Sequence, residues 1–214
     1  MTSNSISAGS SKTIVDDNNF IYFEEFSIIE PNDIQIELIT NDVSCYGLTN
    51  GSISSIVTGG NGSFNYSWTN NSDSSAIDSL NAGIYALEVS DIIGCSKSAF
   101  GLINEPDELL ISMNVNHTNC FGEVDGSIQI TAFGGTQPYS YIWSNGDNST
   151  TLNNLSQGIY SLLLLDINGC VLNYSTTILS PSPLSITDSV IDESCLGSSD
   201  GRIFVEVSGG VLPY

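Results

Sequence analysis

Apolar residues in this chain fall in short alternating runs. Leu109, Ile111 and Met113 alternate with other residues, then Ile128, Ile130 and Ala132, then Tyr139, Tyr141 and Trp143. Tyr160, Leu162 and Leu164 follow, with Ile159, Leu163 and Leu165 on the opposite face, and residues 172–179 form a last run. A period of two over four to eight residues predicts half-buried β-strands. The runs stop at Asp125-Gly126, Gly134-Gly135, Asn145-Gly146 and residues 166–169, all turn-forming sequences. A weaker strand or turn is predicted near Leu152 and Leu155. No segment keeps a 3.6-residue period over ten residues, so no helix is expected.

The same series occurs earlier as Ile34-Ile36-Leu38, Ile53-Ser55-Val57, Phe64-Tyr66-Trp68 and Tyr85-Leu87-Val89, and later as Ile203-Val205-Val207. A shift of 75 residues superposes them without a gap. Cys45, Cys120 and Cys195 come into phase, as do Cys95 and Cys170, Trp68 and Trp143, the Gly-Gly pairs at 59, 134 and 209, and Pro31, Pro106 and Pro181. Repetition at such a period marks an array of small structural units. Boundaries placed after the prolines predict a polar N-terminal segment with the remnant of a preceding repeat (1–31), repeat 1 (32–106), repeat 2 (107–181) and a truncated repeat 3 (182–214). Residues 26–31 read as the closing strand of that remnant and 18–26 as a degenerate edge. Five to seven short antiparallel strands per repeat predict an all-β fold of tandem small immunoglobulin-like β-sandwich repeats of 75 residues. One Trp per repeat then serves as a core plug, with glycan stacking as the functional alternative.

Charge excludes several function classes. The 214 residues carry 24 acidic and 3 basic side chains, a net charge of −21. Lys12, Lys97 and Arg202 cannot form a phosphate-neutralising surface, so no nucleic acid and no anionic membrane face are expected as partners. An apolar fraction of 40% is enough for packed cores and argues against disorder. No run of 18 apolar residues is present to predict a membrane span, and residues 1–17 lack the basic start and apolar core of a signal peptide.

Five cysteines at this spacing predict one disulfide within each complete repeat, Cys45–Cys95 and Cys120–Cys170, with Cys195 left over. A Cys95–Cys120 link between repeats and free buried thiols are the alternatives. An oxidising compartment follows from the disulfides. His117 is the lone histidine, so neither a zinc site nor a repeated nucleophile–histidine constellation can be assembled. Asp91 and Asp166 are in phase at the ends of matching strands, and Asp125 matches Asp200, with Asn50 in the corresponding place of repeat 1. These carboxylates suit turn capping or calcium. Asn-x-Ser/Thr triplets at Asn65, Asn148, Asn154 and Asn173 matter only in a host that glycosylates them. No catalytic, cofactor-binding or metal residue is assigned, and no cofactor is expected.

The string Cys120-Phe-Gly, Asp125-Gly-Ser-Ile, residues 134–146 (GGTQPYSYIWSNG), residues 155–160 (LSQGIY) and Asp166-Ile-Asn-Gly-Cys170 resembles the SprB-type repeat of Bacteroidetes gliding and cell-surface adhesins. The resemblance runs from about Ile34 to Tyr214. Repeat 1 departs from it at Ser63, Asn50 and Ile93-Gly94. It implies a non-catalytic segment of a very large protein on the outer cell surface, often exported by the type IX system, that presents or spaces adhesive regions. Surface glycans or other cell-surface proteins would be its partners. A carbohydrate-binding module, or an accessory repeat of a secreted hydrolase, is the alternative.

Overall fold

The computed structural model describes residues 12–15, 21–24 and 30–214. Sixteen strands and no helix occur among them. A hairpin of β1 (Lys12–Val15) and β2 (Ile21–Glu24) comes first. Repeat 1 contains β3 (Gln35–Asn41), β4 (Gly51–Thr58), β5 (Phe64–Trp68), β6 (Ala76–Leu80), β7 (Gly83–Asp91) and β8 (Ser96–Ile103). Repeat 2 contains β9 (Leu110–Asn116), β10 (Gly126–Phe133), β11 (Ser140–Trp143), β12 (Thr151–Leu155), β13 (Gly158–Leu165) and β14 (Val171–Ile178). Two further strands, β15 (Ser185–Ile191) and β16 (Arg202–Ser208), pair antiparallel in repeat 3. Matching strands lie 75 residues apart to within a residue or so, so the period of the sequence is also the period of the structure. The predicted closing strand at 26–31 falls mostly outside the described residues.

Each complete repeat builds two three-stranded antiparallel sheets, in the order β3-β4-β6 and β5-β7-β8, and again β12-β10-β9 and β11-β13-β14. Inward positions from both sheets of a repeat form one core. Ile53 and Ile77 join Trp68, Leu87, Val89 and Ile103 in repeat 1. Ile128, Ile130 and Leu152 join Trp143, Leu162, Leu164 and Ile178 in repeat 2. Burying each large aliphatic side chain contributes about 1.5–3 kcal/mol, so these sets dominate stability. Trp68 and Trp143 are buried, and their indole N–H groups donate to the carbonyls of Ser74 (2.8 Å) and Ser149 (3.0 Å). They are core plugs with a satisfied polar edge, as the strand period predicts. The segment near 152–155 is a true strand, paired to β10 with a register shift between Gly126 and Ile128. Its alternation is short and interrupted by Asn153 and Asn154, so its sequence signal is weak.

The Gly-Gly pairs close the first strand pair of every repeat. Gly59, Gly134 and Gly209 have φ of +80°, +72° and +77°. A Cβ on Gly134 would stand 1.9 Å from the Glu108 carbonyl oxygen, and one on Gly59 2.0 Å from that of Asp33. Only glycine allows both the positive φ and this approach. The next glycine then donates its N–H across the turn, Gly60 to Asn32 O (2.8 Å) and Gly135 to Asp107 O (2.7 Å).

The chain divides into two compact units, Met1–Val43 with Thr49–Asn104, and Ser44–Leu48 with Glu105–Tyr214. The short loop Ser44–Leu48 lies in repeat 1 by sequence and packs as part of the second unit. That assignment corrects the expected cysteine pairing. The disulfide joins Cys45 to Cys170, 125 residues apart, with Cα atoms 5.6 Å apart, while Cys95, Cys120 and Cys195 are free and exposed. Neither Cys45–Cys95 nor Cys120–Cys170 forms, the Cys95–Cys120 link is absent, and the free thiols are not buried. Strand direction gives the reason. Val43, two residues before Cys45, donates to Asn104 O just past the end of β8, whereas Cys95 immediately precedes the start of β8. Eight residues of strand at about 3.3 Å each hold the two ends of β8 roughly 25 Å apart, far beyond the span a disulfide bridges. Repeat 2 has the same arrangement. Thr118 bonds Leu179 O past the end of β14, and Cys170 immediately precedes its start.

Candidate functional site

The second unit holds a groove lined in part by the Cys45 loop. Residues 107–109 at the entry to repeat 2, Gly135 of the Gly-Gly turn, and residues 169–172 at the turn between β13 and β14 line it. Cys45, Tyr46 and Leu48 complete the lining, around a volume of about 380 Å³. Besides the disulfide, Asn168 Nδ2 donates to Ser44 O (3.2 Å), and Gly47 N–H donates to the Glu105 carboxylate (2.8 Å).

Asp166 builds the receiving turn. Its side chain is buried, and Oδ1 accepts from the N–H groups of Asn168 and Cys170, both at 2.9 Å. Oδ2 accepts from Thr136 N–H at 2.8 Å, tying this turn to the Gly-Gly turn. Asp91 repeats the design in the first unit, accepting from Cys95 N–H (2.9 Å), Ile93 N–H (3.1 Å) and Asn61 N–H (3.0 Å). Burial pushes the Asp91 carboxyl up, but hydrogen bonds from Cys95, Asn61 and Ile93 outweigh it and leave the pKa below its ordinary value. These carboxylates act as turn caps, each accepting from three backbone N–H groups. Among the described residues, no group of three or more His, Cys, Asp or Glu is placed to hold a metal ion.

Asp125 and Asp200 brace the loops that carry Cys120 and Cys195. Asp125 accepts from the Asn119 N–H, and Asp200 from the Ser194 N–H (2.9 Å) and hydroxyl (2.7 Å). Hydrogen bonds from the Ser198 and Ser194 hydroxyls and the Ser194 N–H lower the Asp200 pKa to about 2. The period alone revealed these four acidic positions; their partners became visible only in three dimensions. His117 accepts the Leu179 N–H on Nδ1 (3.2 Å), a structural role.

Tyr141 is half-buried against the repeat 2 core, and burial, with the neighbouring Tyr139, raises its phenol pKa. Tyr85 and Tyr160 donate their hydroxyls to the carbonyls of Asn81 (3.1 Å) and Ser156 (3.0 Å), four residues upstream.

A family model described as the SprB repeat matches three segments, residues 38–73, 114–148 and 187–214. The chain carries three SprB-repeat matches. Each match covers the part of the repeat that holds its first cysteine and its Gly-Gly turn, so the second cysteines, Cys95 and Cys170, lie outside the matched segments. No curated protein matches the chain. A solved structure described as "Structural basis for Dscam isoform specificity" aligns at 12% identity and a TM-score of 0.32, over 70% of this chain and 46% of its own. The three SprB-repeat matches are consistent with a non-catalytic, extracellular repeat module. Among the described residues, no helix is long and apolar enough to cross a membrane.

Proposed function

We propose that this segment is a spacer in a large adhesin or stalk on the outer cell surface, built from immunoglobulin-like β-sandwich repeats bounded at residues 32–106, 107–181 and 182–214, and that it presents or spaces adhesive regions without catalysis. The three SprB-repeat matches in one gapless 75-residue period carry this reading. Two sheets around one core, a buried tryptophan per repeat, and the tyrosines that bond back to an upstream carbonyl support the immunoglobulin-like description. The disulfide supports an oxidising, extracytoplasmic location. Net charge of −21 favours solubility and mutual repulsion of neighbouring stalks. Partners would be surface glycans or other cell-surface proteins.

Protease treatment of intact cells that produce the protein tests the location. Peptides from residues 30–214 should be released before cytoplasmic markers, and complete protection of these residues until lysis would refute it. The alternative, a carbohydrate-binding module, has weaker support, because Trp68 and Trp143 are buried and Tyr141 is half-buried. Glycan-array binding lost on Tyr141→Ala with the fold retained would favour that alternative.

A further inference from the structure

We infer that the Cys45–Cys170 bond is one instance of a pairing rule for this repeat, in which the first cysteine of each repeat bonds the second cysteine of the next, so that Cys120 and Cys195 are forward-facing half-sites and Cys95 is a backward-facing one. The inference builds on the repeat reading and adds the chemistry that links successive repeats.

Three in-phase copies of the same groove support it. In repeat 2 the groove is complete, with the Cys45 loop seated over residues 107–109 and Gly135 and bonded to Cys170. At repeat 3 the loop half is already in place. Cys120 and Phe121 line a groove with Pro183, Leu184 and Gly210, the residues in phase with Glu108, Leu109 and Gly135, and the Ser180 hydroxyl donates to Cys120 O (3.3 Å). At repeat 1 only the receiving half is present. Asp91 holds the turn before Cys95, which lines a groove of about 350 Å³ with Pro31, Ile34 and Gly60. No first-cysteine loop lines that groove, and Cys95 is free. The rule accounts for all five cysteines, one bond and three exposed thiols. Strand direction supplies its cause. The first cysteine follows the first strand of a repeat, at the end where the last strand also finishes, and the second cysteine lies at the other end. A first cysteine is therefore carried toward the entry of the next repeat and away from its own partner in sequence.

Closing each bond removes two protons and two electrons from two thiols. A disulfide oxidant takes them up and is cleaved to two thiols, and oxidised glutathione serves in the test. The full chain is extended after Tyr214 by a copy of residues 140–181, which completes repeat 3 and adds a copy of Cys170. The extended chain is refolded with oxidised and reduced glutathione, alkylated, digested and mapped by mass spectrometry. The expected result is retention of Cys45–Cys170, a new bond from Cys120 to the appended cysteine, and alkylated Cys95 and Cys195, so that free thiols fall from three to two. In the Cys120→Ser version the appended thiol should stay free and not move to Cys195. A bond from Cys195 to the appended cysteine overturns the rule, and so does a free Cys120 while Cys45–Cys170 forms. Failure of Cys45–Cys170 itself removes its basis. The experiment is indifferent to cell-surface location, so its failure and that of the proposed function are distinguishable.

Discussion

Ile128 and Ile203 occupy the same place in the repeat, yet Ile128 is fully buried and Ile203 is 70% exposed; Ile130 and Val205, also in phase, differ in the same way at 3% and 60%. The strands that carry them, β10 and β16, pair with their hairpin partners in matching registers. What differs is the second sheet. Repeat 2 has β11, β13 and β14 to cover the inner face of β10, and the described part of repeat 3 has only β15 and β16. The cysteine grooves show the same contrast, closed at Cys170 and open at Cys95. Local sequence makes the hairpin and the receiving turn; burial requires a second surface.

The largest expected difference lies between the two second cysteines. Cys170→Ser opens a 125-residue covalent loop, which the chain-entropy relation equates with up to about 5 kcal/mol of unfolding free energy. Cys95→Ser removes an exposed thiol and should shift it by less than about 0.5 kcal/mol. Urea titration of both variants under oxidising conditions measures this, and equal effects would contradict the observed pairing. Next comes the core. Ile128→Ala should cost about 2–5 kcal/mol, and Ile203→Ala, with little to leave behind, less than about 1 kcal/mol. Comparable losses in denaturant midpoints would mean that repeat 3 buries this position.

A smaller effect is expected at the Gly-Gly turn. Gly134→Ala meets the Glu108 carbonyl at positive φ and should destabilise by about 1–3 kcal/mol, whereas Gly146→Ala, at φ +85° with open space around it, should cost less. Thermal melts of the pair separate steric clash from backbone preference. The smallest effect concerns acid. The Asp91 pKa is depressed in the folded state from its ordinary 3.8, so its stabilisation is present above that value and lost as pH falls through the folded pKa. The denaturant midpoint of repeat 1 should therefore decline below about pH 4, and Asp91→Asn should flatten that slope. An unchanged slope would assign the acid sensitivity to other carboxylates.

Much of the fold is legible in the sequence. Alternation located β4, β5 and β7 and their counterparts, because one face of each is buried in a core and the other is not. The 75-residue phase identified Trp68 and Trp143 as plugs and the Gly-Gly pairs as turns, because the same local geometry recurs wherever the same residues do. Strand β12 was read only weakly, since two asparagines interrupt its pattern and its place comes from pairing with β10.

Cysteine pairing was the point where sequence reasoning failed. Spacing and parity favoured Cys45–Cys95 and Cys120–Cys170, but spacing carries no direction. By itself, the sequence determined the period, the strands, the turns and the likeness to the SprB repeat, because those depend on residues near one another along the chain. Only the tertiary structure decided which cysteines meet and which inward faces are covered. Both depend on where each antiparallel strand ends, and a disulfide can join only cysteines whose Cα atoms those strand ends bring within several ångströms.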